Sequence, residues 1–223
     1  MNITTEALVG QLATENPLAT RVFARHGIDY CCGGGRPLAE VCAEKGLNPE
    51  TIVAEINREI TATPEAGARW DNAPLADLID HILEVYHVPL WEELPRLDAM
   101  ARKVLAVHGD KDPAMLGGIV EVYGALRAEL DQHMRKEEEI LFPMIKAGQG
   151  ANAGPPVNVM HIEHDSAGEA LRRLRELTND YTMPEGACNT WRALWHGLEA
   201  LEHDLHQHIH LENNILFPRA LAG

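Results

Sequence analysis

Aromatic residues make up only 5% of the 223-residue chain. Valine, isoleucine and threonine runs are short and no Asn-Gly turn joins alternating segments, so β signals are weak throughout. Basic residues are also scarce: 19 Lys and Arg face 34 Asp and Glu, for a formal charge of −15. That balance excludes binding to nucleic acid or an anionic membrane driven by phosphate attraction. No apolar run approaches the roughly 20 residues of a membrane span. The start of the chain has neither a basic segment nor a hydrophobic stretch, so a cytoplasmic location is expected. Four cysteines, two of them adjacent, are too few for a disulfide framework at this length and fit a reducing compartment. With 45% hydrophobic and 24% charged residues, the chain has the composition of a folded protein. Its unusual count is histidine: eleven of twelve lie between His81 and His210, while three of the four cysteines lie in the first 80 positions.

Helix punctuation recurs along the chain. Asn16-Pro17, Arg36-Pro37 and Asn48-Pro49 read as cap and first-turn pairs, and Gly27 and Gly46 stand where helix C-caps belong. The sequence therefore predicts an all-α protein with three or four short helices in an N-terminal domain over 1–60. A linker over 61–74 follows, rich in Pro, Gly, Thr and Asn, with Trp70 as its anchor. Four long helical patterns, near 74–107, 112–147, 156–179 and 184–219, are joined by short connections and predict an antiparallel four-helix bundle over 75–221. Pro89, Pro95 and Pro143 fall inside these patterns and are expected to kink or interrupt them.

The bundle carries an internal repeat. His133-x3-Glu137-x2-Ile140-Leu141-Phe142-Pro143 recurs 75 positions on as His208-x3-Glu212-x2-Ile215-Leu216-Phe217-Pro218. A weaker echo at an offset of 77 pairs His87, Glu92, Leu94, Arg96 and Leu97 with His164, Glu169, Leu171, Arg173 and Leu174. Each half reads as one helical hairpin, related to the other by a pseudo-twofold.

Histidine and glutamate four residues apart lie one turn apart on one helix face. The faces of His133 and His208 otherwise carry Leu126, Leu130, Ile140 and Met144, and Leu201, Leu205 and Ile215. A buried carboxylate costs several kcal/mol, roughly, unless positive charge or a proton compensates. No lysine or arginine shares these stripes, so metal ions are the expected compensation, held by His87, His133, Glu137, His164, His208 and Glu212. A lone histidine on an apolar face is usually a hydrogen-bonded core residue; a repeated pair is a poor fit to that reading. Bridging glutamates would give each of two ions two imidazoles and two carboxylate oxygens. With an oxo or hydroxo bridge, one octahedral position stays open; this mixed ligand set suits iron or manganese rather than structural zinc, and iron is expected. Glu129 and Asp204, one turn before the ligand histidines, are candidate acceptors for imidazole N–H groups, as are Glu163 and His161. His108, His196, His203, His206 and His210 are expected at the surface.

Cys31 and Cys32 lie in a glycine-rich loop before the helix start at Pro37, where the helix N-terminus and Arg36 would favour thiolate. Such vicinal thiols can take up metal, a nitrosyl or a persulfide, or oxidise reversibly. The three glycines suggest close backbone approach to a bound group or partner. Cys42 and Cys188 stand alone and are expected to be packed in the interior.

The Asp29-Tyr30-Cys31-Cys32-Gly33-Gly34 run and the two H-x3-E-x2-ILFP segments, in that order, resemble the repair of iron centres family. These YtfE/ScdA-type proteins join a ScdA-like N-terminal domain to a hemerythrin-like bundle, and the likeness covers nearly the whole chain. The resemblance implies two non-haem irons at the six residues named above, and a role in restoring iron-sulfur clusters damaged by nitric oxide or oxidants. Damaged iron-sulfur proteins would be partners and nitric oxide or oxygen the small ligand; a homodimer stays open. Gly168, four after His164, offers no side-chain ligand, so simple oxygen carriage as in true hemerythrins is not expected. Three functions follow: iron donation with Cys31 and Cys32 as working thiols, which is favoured, reduction of nitric oxide to nitrous oxide, or sensing of a diatomic gas.

Overall fold

The computed structural model describes residues 3–62 and 69–223, all of whose regular elements are helical. Four short helices open the chain: α1 (Val9–Glu15), α2 (Ala19–Arg25), α3 (Leu38–Lys45) and α4 (Pro49–Ala62). Their boundaries follow from local chemistry. Asn48 Oδ1 accepts the amides of Glu50 and Thr51 at the start of α4. Gly27 and Gly46 take φ of 60° and 66° after α2 and α3, a left-handed conformation that disfavours residues with a Cβ. Val9, Val22, Phe23, Tyr30, Leu38, Ile52 and Ile56 close a core among them. Helix α4 reaches into the expected linker, residues 63–68 of which lie outside the described part. Beyond it, Trp70 stacks on His81 at 4.4 Å, and Arg219 donates to the carbonyls of Trp70 and Ala73, which ties this end of the connection to the bundle.

The bundle consists of four rods. The first joins α5 (Leu75–Ile82) to α6 (Val88–His108), and the second joins α7 (Pro113–Lys136) to α8 (Phe142–Lys146). The third is α9 (Gly154–Leu177), and the fourth joins α10 (Asn189–Leu211) to α11 (Phe217–Ala222). Leu94, Leu97, Tyr123, Leu126, Leu171, Leu194, Trp195 and Leu198 fill the interior at one end of the bundle, and Leu78, Ile79, Phe142, Leu216 and Phe217 fill the other. No helix among the described residues is long and apolar enough to cross a membrane.

The prolines act differently from expectation. Leu83–His87, Glu137–Leu141 and Glu212–Leu216 are π-helical turns, closed by backbone hydrogen bonds that the amides of Val88, Phe142 and Phe217 donate to the carbonyls of Leu83, Glu137 and Glu212. Each ends one residue short of the X in an X-Pro pair at Val88-Pro89, Phe142-Pro143 or Phe217-Pro218. Proline lacks an N–H, and its ring would clash with the carbonyl four residues back. Widening the preceding turn removes the conflict, so the rods continue through it. Pro95 likewise lies within α6 without ending it. The two halves are not identical here: Ile140, expected on the core face, is 59% exposed, while its repeat partner Ile215 is 4% exposed. Ile215 packs in the core with Leu78 and Ile79, and α1 lies against its turn.

Candidate metal centre

Each rod contributes to one buried cluster. His87 ends the π-turn of the first rod, His133 lies in the last turn of α7, Glu137 opens the next π-turn, His164 is in mid-α9, and His208 and Glu212 repeat the second rod's arrangement in the fourth. All six are buried, with both glutamates fully inaccessible. Their atoms form two groups, His87, Glu137, His208, Glu212 and His133, Glu137, His164, Glu212, each with donor atoms within 4.8 Å of one another. Both glutamates belong to both groups. Glu137 Oε2 lies 3.4 Å from His87 Nε2 and 3.3 Å from His133 Nε2. Glu212 presents Oε1 to His208 Nε2 at 3.0 Å and Oε2 to His164 Nε2 at 3.2 Å. The facing imidazoles come as pairs, His87 with His208 and His133 with His164, with Nε2 atoms 3.1 Å apart in each.

Such a cluster demands positive charge. Both oxygens of Glu137 and Oε2 of Glu212 are buried without a hydrogen-bond partner among the described residues. Burial opposes ionisation of Glu137, but the His133 and His87 imidazoles hold its carboxyl well below the usual range. Burial lowers the pKa of His133, and the Glu137 and Glu212 carboxylates outweigh it and push the pKa up to about 9. Burial dominates at His208 and lowers its pKa. Two buried carboxylates with three unpartnered oxygens, facing four imidazole nitrogens, are a donor set that fits a pair of metal cations, and the mixture of nitrogen and oxygen suits iron or manganese.

The imidazoles are oriented from outside by residues of neighbouring rods. His87 Nδ1 donates to Glu138 Oε1 at 2.9 Å, which also accepts from Trp91 Nε1 at 2.9 Å. His133 Nδ1 donates to Glu163 Oε2 at 3.0 Å, and Lys136 pairs with the other oxygen of Glu163. His164 Nδ1 donates to Asn213 Oδ1 at 2.8 Å. Of the acceptors expected from the sequence, Glu163 occupies that place and Glu129 and Asp204 do not: Glu129 accepts from Ser166, and Asp204 lies exposed near Tyr86. His161 is half-buried next to Asn213, and burial lowers its pKa. Sequence reasoning missed Glu138 and Asn213, although each directly follows a repeated glutamate and the pair keeps the 75-residue offset. Glu129, Glu163, His133, His164 and His208 border a cavity of about 10 Å³, close to the minimum for one water molecule.

Of the vicinal thiols, Cys32 lies against the rod that carries His164. Cys32 Sγ is 3.5 Å from the carbonyl oxygen of His164. The N-terminal domain is fastened there by Gln207, which donates to Tyr30 Oη at 2.7 Å, and by Asn214, which donates to the carbonyls of Tyr30 and Cys31 at 3.2 and 3.3 Å. His210, expected at the surface, is instead buried under Tyr30 with ring centroids 5.5 Å apart, and desolvation drives its pKa down to about 4. His206 is half-buried on the same tyrosine; His196 and His203 are exposed and His108 is partly so. The expected thiolate character is not present at Cys31: its hydrogen bond with Cys32 and its burial push the thiol's pKa up, and its Sγ lies 3.2 Å from Asp29 Oδ1. Arg36 is turned away and pairs with Glu44. Cys42 is buried as expected, whereas Cys188 is exposed, with its Sγ 3.3 Å from His108 Nε2. The close approach at Gly34 is to the chain's own backbone, not to the bound group or partner expected: its carbonyl accepts the Gly10 amide at 2.8 Å, and a Cβ there would stand 2.7 Å from the Tyr30 carbonyl oxygen.

Residues 78–220 match the hemerythrin HHE cation binding domain, and residues 5–59 match the ScdA_N domain, described as a domain of unknown function. Proteins named iron-sulfur cluster repair protein YtfE from Pectobacterium atrosepticum and Escherichia coli O157:H7 are each 47% identical over 215 residues, or 96% of either chain. The Shigella boydii serotype 4 protein of the same name matches to the same extent. With both domain matches and this identity over nearly the full length, the chain belongs to the family of YtfE iron-sulfur cluster repair proteins.

Proposed function

We propose that the chain is a dinuclear iron protein that repairs iron-sulfur clusters damaged by nitrosative or oxidative stress, chiefly by donating iron. The observation that carries this reading is the sharing of Glu137 and Glu212, both fully buried, between two sets of histidines. His87 and His208 would hold one ion and His133 and His164 the other, with both carboxylates common to the two and an oxo or hydroxo bridge completing the centre. When bound, the iron pair supplies exchangeable metal and an open position for a diatomic ligand such as nitric oxide or oxygen.

The protein's own groups prepare that exchange. Glu138, Glu163 and Asn213 fix three imidazoles with Nε2 turned inward. Cys31 and Cys32 would be the thiols that receive iron or a nitrosyl group, a role supported by the 3.5 Å approach of Cys32 Sγ to the His164 carbonyl oxygen. Damaged iron-sulfur proteins are the proposed partners, in the cytoplasm. A second reading, reduction of nitric oxide to nitrous oxide, is supported by the cavity bordered by His133, His164 and His208. Iron donation is preferred because the full-length relatives are named iron-sulfur cluster repair proteins.

Anaerobic incubation of the iron-loaded, reduced protein with an apo-ferredoxin separates the readings. Iron transfer with recovery of the ferredoxin's cluster spectrum is expected. Repeated nitrous oxide production with added reductant and nitric oxide, without iron transfer, would replace donation by the enzymatic reading.

A further inference from the structure

The repeat relates the surroundings of the four imidazoles, and at one of them the relation fails. Glu138 and Asn213, 75 positions apart, each accept from the histidine on the preceding rod, His87 and His164. His133 and His208 are partners in the same way. His133 Nδ1 donates to Glu163, the residue before His164, and Lys136 holds that carboxylate. The residue before His87 is Tyr86, and it does not take the role of Glu163. Its ring lies parallel to the His208 imidazole, with planes 9° apart and centroids separated by 5.3 Å. His208 Nδ1 is buried and has no hydrogen-bond partner among the described residues. Leu211 stands where the other half has Lys136, so no cation is placed to hold an acceptor there.

We infer that the two metal positions are unequal, and that the one formed by His87, His208 and the shared glutamates is the one from which metal leaves first. This rests on the dinuclear reading above and adds which ion is released. An imidazole that donates its outer N–H to a carboxylate or amide oxygen is fixed in orientation and is a stronger donor to metal. Three of the four have that support. At His208 the stacked Tyr86 ring holds the plane of the imidazole but accepts nothing from Nδ1. Tyr86 and Glu163 are thus opposed positioning residues at equivalent places, one leaving its histidine a weaker ligand and the other strengthening it. Release of one ion leaves the second between Glu137 and Glu212, so both buried carboxylates keep a cation beside them while metal is passed on.

The test uses the full chain loaded anaerobically with ferrous iron and mixed with excess colorimetric ferrous chelator, following chelate absorbance with time. Two phases of one iron each are expected, separated by at least about tenfold in rate, the lower bound for loss of such an outer partner. Tyr86→Glu places a carboxylate at the position equivalent to Glu163 and should slow the fast phase about tenfold with the slow phase unchanged. Glu163→Leu should accelerate the slow phase, and Tyr86→Phe, which keeps the ring, should leave both as in the parent. Release of two irons in a single phase, or a fast phase unmoved in folded Tyr86→Glu, would overturn the inference while leaving the dinuclear reading intact. Should Tyr86→Glu not fold, Glu163→Leu decides at a partly exposed position: a slow phase that does not accelerate overturns the inference. Loading of fewer than two irons in the parent would overturn the dinuclear reading itself.

Discussion

Glu138 and Asn213 show how each histidine depends on the rod beside it. Glu138 reaches from the second rod to His87 on the first, Glu163 from the third to His133, and Asn213 from the fourth to His164. Helical-wheel reasoning examines one helix at a time, so it selected Glu129 and Asp204, which share a face with the ligand histidines and, among the described residues, hydrogen-bond to none of them. The offset of the repeat carried the missing signal, because the residue after each repeated glutamate is polar and equivalent. Glu138→Ala is expected to weaken iron retention about tenfold or more, and Asn213→Ala similarly, measured by competition with a chelator of known affinity. Neither should alter helix content.

Helix existence was legible because apolar periodicity over long stretches overrides local exceptions, and the four rods lie close to the expected ranges. The π-turns were not legible. Proline at Pro89 and Pro143 signals a conflict in the backbone, and whether a helix breaks or widens depends on the packing of its flanks, which composition does not encode. Close approach between elements was equally hidden. At Gly150, between the second and third rods, a Cβ would stand 2.5 Å from the carbonyl oxygen of Ala220 in α11. Gly150→Ala should therefore cost about 1–3 kcal/mol through a forced backbone shift. Thermal unfolding would register this as a fall in Tm of several degrees; an unchanged Tm would mean the two segments separate freely.

The whole molecule couples a thiol-bearing domain to a buried metal-binding core. Sequence order announced both parts but not their docking, since Tyr30 lies about 180 positions from Gln207, His210 and Asn214 and nothing in either motif says that the two meet. Asn214→Ala removes the bonds to the Tyr30 and Cys31 carbonyls, each worth about 1 kcal/mol. The docked state should weaken and the labelling rate of buried Cys31 by a small thiol reagent should rise about tenfold. Stripping metal with a chelator should lower Tm by several degrees, reversed by ferrous iron, because a ligand bound only to the native state stabilises it. The most direct test of the shared-carboxylate centre is metal analysis with Mössbauer spectroscopy on the parent, Glu137→Ala and Glu212→Ala. Two antiferromagnetically coupled irons per chain, with the coupled pair lost in either variant, is the predicted result; one tightly held zinc in the parent, or a coupled pair retained without either carboxylate, would contradict it.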